Sequence, residues 1–345
     1  MTPVPSTPQQ PELHSELAQP TEHLLTVAPG VRLAVRCWTP ATSTPGSNPG
    51  LGFVLVHGLA SNARLWDGVA RVLVAAGHWV AAIDLRGHGH SDQVPEGHTT
   101  DQAAADVSAV IAELGWDSPI VAGQSWGGNV VLHLAAKYPS SVRAVAFVDG
   151  GWLHLGGGFA TFEDAWKTLA PPEFAGRIAF DDLGSRIAAM HPTWPAESLA
   201  GTLANLERLP DGTARAFLPR RAHKAILESM YLDNPAALYG SVLMPTLLMP
   251  ALPEPGTQQK GPGGQLAAIA TALASIPQSL LSAYVGADHD LHGQHPARVA
   301  ADLLSLAAWA AGDLPPARWE TAVPGWTDST GIAHSTTTSH AGGTP

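Results

Sequence analysis

The chain has 345 residues, 45% of them hydrophobic, enough for one large buried core or two small ones. Its formal net charge of −11, with only 14% charged residues and no basic run, argues against a nucleic acid partner. A single cysteine, Cys37, excludes an intramolecular disulfide and fits the reducing cytoplasm, and no apolar stretch is long enough to predict a membrane-spanning helix.

Apolar stretches typical of buried strands alternate with helical patterns along most of the chain. The predicted strands are residues 24–28, 31–38, 52–58, 78–85, 119–125, 142–150, 244–252 and 279–287. The predicted helices are residues 63–78, 100–115, 129–139 and 295–312. Continuous apolar strands separated by helices predict an α/β fold whose mostly parallel sheet is buried on both faces.

The strict alternation stops between the sixth and seventh predicted strands. Residues 151–240 have the pattern of short helices broken by Pro and Gly, which predicts a helical insertion. Residues 1–20 and 315–345 are polar and poor in apolar side chains, so we expect disordered tails there. The predicted core therefore consists of residues 21–150 and 241–314.

The most informative stretch is "PIVAGQSWGGNVVLHLA", in which an apolar strand turns into a helix at Ser125. Gly123 and Gly127 flank the serine in a G-x-S-x-G pattern, and glycines there allow a sharp strand-to-helix turn. Such a turn exposes the serine at the carboxyl edge of the sheet, beside helix N-terminal N–H groups that favour negative charge. Ser125 is therefore the candidate nucleophile.

A nucleophilic serine needs a base, and His289 follows the last predicted strand in "YVGADHDLHGQHPARV". Catalytic groups of a parallel sheet gather at its carboxyl edge, which favours His289 among the sixteen histidines. His289, His292 and His295 lie three residues apart, so a metal cluster is the competing interpretation. We expect neither a metal nor a cofactor, because these residues straddle a loop and a helix start and no second ligand pair accompanies them.

A third element, "VLVHGLASNARLWD", follows the third predicted strand. The backbone N–H groups of Leu59 and Trp126 would supply two donors to a developing oxyanion. We expect His57, Gly58 and Trp152 to contact the substrate. Other aromatic side chains of the insertion could line an apolar acyl or aromatic pocket, although most could equally form the insertion's own core. They are Phe159, Phe162, Trp166, Phe174 and Trp194.

These motifs together resemble the α/β-hydrolase superfamily. The matching pieces are "HGLASNARLWD", "DLRGHGHSD" at 84–92, "GQSWGG" and "GADHDLHGQHP", in the family's order over about residues 22–312. The resemblance implies an eight-stranded, mostly parallel sheet with helices on both faces, a helical cap after the sixth strand and a Ser–His–acid triad. For Asp84, Arg86, His88 and His90 of the second motif we expect only a structural role at the pocket rim.

The resemblance implies that the triad acid follows either the sixth or the seventh strand. Asp149 ends the sixth predicted strand and precedes two glycines, and it is our choice. Glu254, in the Pro- and Gly-rich stretch after the seventh strand, is the alternative. Either carboxylate would orient the base and stabilise its imidazolium form.

These features predict a serine hydrolase that acts on a small ester, thioester, lactone or related carbonyl compound through an acyl-enzyme. The serine at the elbow argues against haloalkane dehalogenases and epoxide hydrolases, which need an aspartate there. A C–C bond hydrolase and a prolyl-aminopeptidase-like enzyme remain alternatives, as does a non-catalytic receptor on the same fold. We expect a small-molecule substrate, and neither a nucleic acid nor a membrane, as the partner; the sequence does not predict the oligomeric state.

Overall fold

The computed structural model describes residues 19–41, 43, 51–172, 178–254 and 266–324. Its strands are Thr21–Ala28 (β1), Val31–Trp38 (β2), Gly52–Val56 (β3), Trp79–Ile83 (β4), Ile120–Gln124 (β5), Ala144–Val148 (β6), Leu206–Arg208 (β7), Ala214–Ala216 (β8), Thr246–Met249 (β9), Ala251–Leu252 (β10), Ser279–Leu281 (β11) and Tyr284–Val285 (β12). Its α-helices are Asp67–Ala75 (α1), Thr100–Leu114 (α2), Trp126–Lys137 (α3), Leu155–Gly158 (α4), Phe162–Leu169 (α5), Phe180–Met190 (α6), Ala196–Leu203 (α7), Arg220–Leu232 (α8), Leu266–Ser275 (α9), Leu291–Gln294 (α10) and Pro296–Ala310 (α11). None of these helices has the length and apolar composition needed to cross a lipid bilayer.

The central sheet has eight strands in the order β1-β2-β4-β3-β5-β6-β9-β11. The first two strands pair antiparallel, β2 pairs antiparallel with β4, and the remaining strands are parallel. Strands β3, β5 and β6 are buried along their whole length, because helices cover both faces. The predicted eight-stranded, mostly parallel sheet is confirmed, and its topology brings the carboxyl ends of β3, β5 and β6 together.

The last two predicted strands are each divided in two. Pro250 separates β9 from β10, which leaves the main sheet and pairs in parallel with β12. Proline has no N–H to donate to a sheet ladder, but its carbonyl still accepts, from the N–H of Tyr284 at 2.9 Å. The small β10–β12 ladder carries the chain from the sheet to the loop that contains His289.

The helical cap expected after the sixth strand lies between β6 and β9 and contains α4 to α8. It also contains an antiparallel hairpin, β7–β8, where we expected only short helices. The turn between its strands includes Pro210, Asp211 and Gly212, and Gly212 has φ +82°, a conformation that favours glycine. The exact boundaries of the cap, residues 151 and 240, stay predictions.

The predicted disordered tail from residue 315 is wrong for its first ten residues, which pack on the core. Trp319 is 6% and Val323 4% exposed, and Glu320 bridges to Leu281 of β11. The buried carboxylate of Asp302 in α11 accepts hydrogen bonds from Arg318 at 2.5 Å and from the Trp319 indole at 3.2 Å.

Ser282 and Tyr284 donate to the other oxygen of Asp302, each at 2.8 Å. This buried network supplies the partners and the apolar contact that hold the segment in place. Of the other predicted tail residues, 1–18 and 325–345 lie outside the described residues.

Candidate active site

Ser125 stands between β5 and α3 in a strained backbone conformation. Its φ of 54° and ψ of −123° are uncommon for a residue with a side chain and are typical of a nucleophile elbow. Close neighbours enforce the turn: a Cβ on Gly58 would lie 2.9 Å from Ser125 Cβ, and one on Gly150 would overlap the Ser125 carbonyl. The Ser125 N–H donates to Val148 O at 2.9 Å, which ties the elbow to the end of β6.

Asp149, the first residue after β6, contacts His289 directly. His289 Nδ1 lies 2.5 Å from Asp149 Oδ2. The other carboxylate oxygen accepts from the N–H of Ala251 at 3.1 Å, and the Asp149 N–H donates to Met249 O. The residue is 3% exposed and has φ +45°, so the loop holds its buried carboxylate in one orientation.

Glu254, the alternative acid, has a different position. It is exposed, and its carboxylate lies next to Gly286, where an added Cβ would come within 2.5 Å of Glu254 Oε1. Asp149 is thus the carboxylate that the fold brings to His289. Among the described residues no hydrogen bond joins Ser125 Oγ to the His289 ring, and such bonds often tighten only when substrate binds.

The charge balance around His289 favours its protonated form. Burial opposes that charge, but the hydrogen bond and the charge of Asp149 outweigh burial and raise the pKa of His289 above its usual value. The charge of Asp290 also raises the pKa of His289, although burial raises the pKa of the Asp290 carboxyl group itself. His289 thus has an Asp partner that fixes its ring and would stabilise a positive charge.

The two predicted oxyanion donors flank Ser125. Trp126 begins α3, and its N–H belongs to the first helical turn, which has no acceptor within the helix. Leu59 follows Gly58, which packs against Ser125. In the part of the chain that the structure describes, neither N–H has a backbone or side-chain acceptor, whereas the next two, of Ala60 and Ser61, do. Two free donors beside the elbow are what a developing oxyanion needs.

His57, which we expected to contact the substrate, is instead buried and hydrogen-bonded within the protein. Its side chain is fully buried, Nε2 accepts from the Leu85 N–H at 3.0 Å, and Nδ1 donates to Gly58 O at 2.7 Å. Burial lowers the pKa of His57, so the ring is neutral and both nitrogens are used. The His88 ring also uses both nitrogens: Nε2 accepts from the Ala60 N–H at 3.2 Å, and Nδ1 donates to Arg86 O.

The two imidazoles pack 4.8 Å apart and brace the loop that carries Leu59. Asp84 accepts from the N–H groups of Ala63 and His90, and Arg86 pairs with buried Asp106 at 2.7 Å. The expected structural role of this motif therefore has a physical basis. Gly58, the other predicted substrate contact, is buried directly beside Ser125, where a larger residue would displace the serine.

Trp152 also differs from its predicted role as a substrate contact. It is 2% exposed and belongs to the hydrophobic core, because Asn129 holds the turn around it through hydrogen bonds to Gly151 and Leu153. Of the other aromatic residues predicted to line a pocket, the four that are described pack within the protein and do not line its cavity: Phe159, Phe162, Trp166 and Trp194. Phe174 lies outside the described residues.

The cap is joined directly to the loop that carries His289. The Trp194 indole donates to Asp288 Oδ2 at 2.8 Å, and Ser198 Oγ donates to Gly293 O at 2.8 Å. The ring of His191 packs on Trp194 with centroids 4.0 Å apart. No sequence motif indicated these contacts, because they join segments about a hundred residues apart.

His289, His292 and His295, the competing metal-cluster interpretation, are not arranged around one point that could hold a metal ion. His292 is fully buried 4.3 Å from the Trp66 ring, and burial lowers its pKa to about 3. His295 precedes α11 and packs near Tyr284. Within the described residues, no group of three or more His, Cys, Asp or Glu side chains is arranged to hold a metal ion.

Comparison with known proteins agrees with this fold. A family model for the alpha/beta hydrolase fold matches residues 53–296. A non-heme haloperoxidase of Rhodococcus erythropolis is 27% identical over 72% of this chain and 89% of its own length. A monoacylglycerol lipase of Mycolicibacterium smegmatis is 29% identical over 57% of this chain and 70% of its own length.

Among solved structures, E-2-(acetamidomethylene)succinate hydrolase superposes with a TM-score of 0.66 at 21% identity. The match covers 84% of this chain and 99% of that one, and it concerns the fold alone. The family match, by contrast, spans well over half of the chain and includes the elbow, both candidate acid–base residues and the oxyanion loop. The chain therefore belongs to the α/β-hydrolase family.

Proposed function

We propose that this enzyme is a serine hydrolase of small esters, thioesters, lactones or related carbonyl compounds that works through an acyl-enzyme on Ser125. The observation that carries the proposal is the 2.5 Å contact between His289 Nδ1 and the buried carboxylate of Asp149, beside the strained elbow. A family of hydrolases with esterase and lipase members supports the reaction type.

In this proposal Ser125 Oγ attacks the substrate carbonyl while its proton passes to His289 Nε2. The Leu59 and Trp126 N–H groups stabilise the oxyanion, and Asp149 stabilises the imidazolium. His289 then returns the proton to the leaving alcohol as the acyl-enzyme forms. Water, activated by the same base, releases the carboxylic acid and restores Ser125.

Covalent labelling with a fluorophosphonate, run beside hydrolysis of p-nitrophenyl butyrate, tests this proposal. We expect the wild-type protein to be labelled and Ser125→Ala to lose both labelling and turnover, with kcat falling roughly 10⁴- to 10⁶-fold. Ser140→Ala, a change at an exposed serine, is the matched control and should behave as wild type. Wild-type protein that resists the label would instead favour a non-catalytic receptor on this fold.

A further inference from the structure

A cavity of about 930 Å³ lies between the cap and the loop that follows β4. Ala60, Ser61 and His88 form part of its wall. Ala60 follows the proposed oxyanion donor Leu59, and the His88 ring stacks on Trp126, the other donor, at 5.8 Å. The cavity thus reaches to within one residue of each donor, and its volume is in the range of sites that enclose a small organic ligand.

The position of the cavity indicates which part of an ester it would receive. In the proposed reaction the leaving oxygen must reach His289, because that residue protonates it. None of the described wall residues belongs to the His289 loop, and those from the core come from the oxyanion loop and the loop after β4. The cavity therefore lies on the acyl side of the scissile bond.

The Arg and Glu side chains of the wall each contact a partner within the described part of the protein. Arg215 and Glu207 form an ion pair at 2.5 Å across the β7–β8 hairpin. Arg220 donates to Pro171 O at 2.6 Å and lies over the Trp166 ring at 4.8 Å. A carboxylate in the acyl group would therefore lose its hydration and would have to displace one of these contacts to reach a cation.

The two histidines of the wall that burial affects are uncharged at neutral pH. Burial lowers the pKa of His223 to about 4 and the pKa of His88 well below its usual value. The rest of the wall is largely hydrocarbon, with Leu206, Phe217 and Leu218 from the cap facing the cavity beside three prolines. Each methylene group of a ligand that such a surface removes from water makes binding more favourable.

We propose that this cavity is the acyl site, and that the substrates are esters of uncharged, medium-length aliphatic or aromatic acids rather than of dicarboxylic acids. This inference rests on the proposed serine hydrolase function. It adds a substrate class to that function, since large volume, paired charges and a hydrocarbon wall together favour a neutral apolar acyl group.

Hydrolysis of p-nitrophenyl acetate, butyrate, octanoate and hemisuccinate, which share one leaving group, tests the proposal. We expect kcat/KM to rise roughly threefold per added methylene from acetate to octanoate. The hemisuccinate should react at least about tenfold more slowly than the butyrate, because its carboxylate is desolvated without a partner. A flat response to chain length, or a preference for the hemisuccinate, would overturn the proposal.

Two tryptophan substitutions on the cap test whether the dependence on acyl chain length arises in this cavity. Ala216→Trp places an indole in the cavity wall, and Ala189→Trp places one on an exposed face of α6 outside the cavity. Ala216→Trp should reduce the octanoate-to-acetate ratio of kcat/KM at least about tenfold, whereas Ala189→Trp should leave it unchanged. Equal ratios in the two variants would mean that acyl chains bind elsewhere.

Fluorophosphonate labelling of Ser125 separates the two possible failures. A wild-type protein that is labelled but shows no acyl preference retains the serine hydrolase function and loses the acyl-site assignment. If the protein is not labelled and its esterase activity survives Ser125→Ala, both the serine hydrolase function and the acyl-site assignment are refuted.

Discussion

Replacing Asp149 with asparagine should cripple turnover while leaving the fold intact. Asparagine has nearly the shape of aspartate and tolerates the φ of +45° at this position. The N–H of Ala251 donates to Oδ1, so the amide oxygen of the variant should take that place and turn its NH₂ group toward His289. His289 Nδ1 would then have to accept a hydrogen bond, which puts the ring proton on Nε2, where the proton of Ser125 must go.

A base held in the wrong tautomer loses most of its activity, and the variant also loses the charge that stabilises the imidazolium. We expect kcat to fall about 10²- to 10⁴-fold, equivalent to about 3–5 kcal/mol of transition-state stabilisation. The assay is steady-state hydrolysis of p-nitrophenyl butyrate, with circular dichroism to show that the variant is folded. Glu254→Gln is the matched control, and we expect its kcat to stay within about twofold of wild type. A crippling Glu254→Gln together with a benign Asp149→Asn would refute the reasoning and move the acid to the loop after β10.

Three further predictions concern the base, its loop and the elbow. Because Asp149 raises the pKa of His289, which must be deprotonated to act, kcat/KM should rise with pH through a midpoint above about 6.5, and activity already at its plateau near pH 5 would contradict this. Trp194→Phe keeps an aromatic ring but removes the hydrogen bond to Asp288, so kcat should fall about tenfold with little change in KM and with a shifted pH profile. A change confined to KM would mean that this contact only shapes the pocket. Gly150→Ala should abolish fluorophosphonate labelling, since the new Cβ overlaps the carbonyl of Ser125 and distorts the turn, and normal labelling would show that the elbow tolerates the displacement.

The sheet and the elbow could be predicted from the sequence because they depend on local patterns. The apolar stretches mark buried strands, and the glycines around Ser125 mark a place where a strand and the following helix approach too closely for side chains. Asp149 could be proposed for a similar reason, since it ends a continuous apolar strand at the carboxyl edge. These inferences need only the periodicity of the chain and the rule that parallel strands share an edge.

The features that were missed depend on contacts between distant segments. The buried position of His57 depends on its hydrogen bond from the N–H of Leu85, which no spacing in the sequence connects with it. The cap hairpin, by contrast, carried a usable local signal, because Pro210, Asp211 and Gly212 are typical turn residues. Composition was misleading for the last described segment, because two buried apolar side chains, Trp319 and Val323, and the ion pair of Arg318 with Asp302 are enough to hold it on the core.

The anchorage of Trp319 and Arg318 has a genetic consequence. Their side chains are two of the groups that compensate the buried carboxylate of Asp302. A stop codon that removed residues from 315 onward would keep every proposed catalytic group but leave that charge short of its cationic partner. Stranding a buried charge typically costs about 3–5 kcal/mol, a large share of the roughly 5–15 kcal/mol by which a protein is stable. Such a truncation should lower activity through a low abundance of folded protein rather than through damaged chemistry, whereas a stop codon after residue 324 would keep both partners of Asp302.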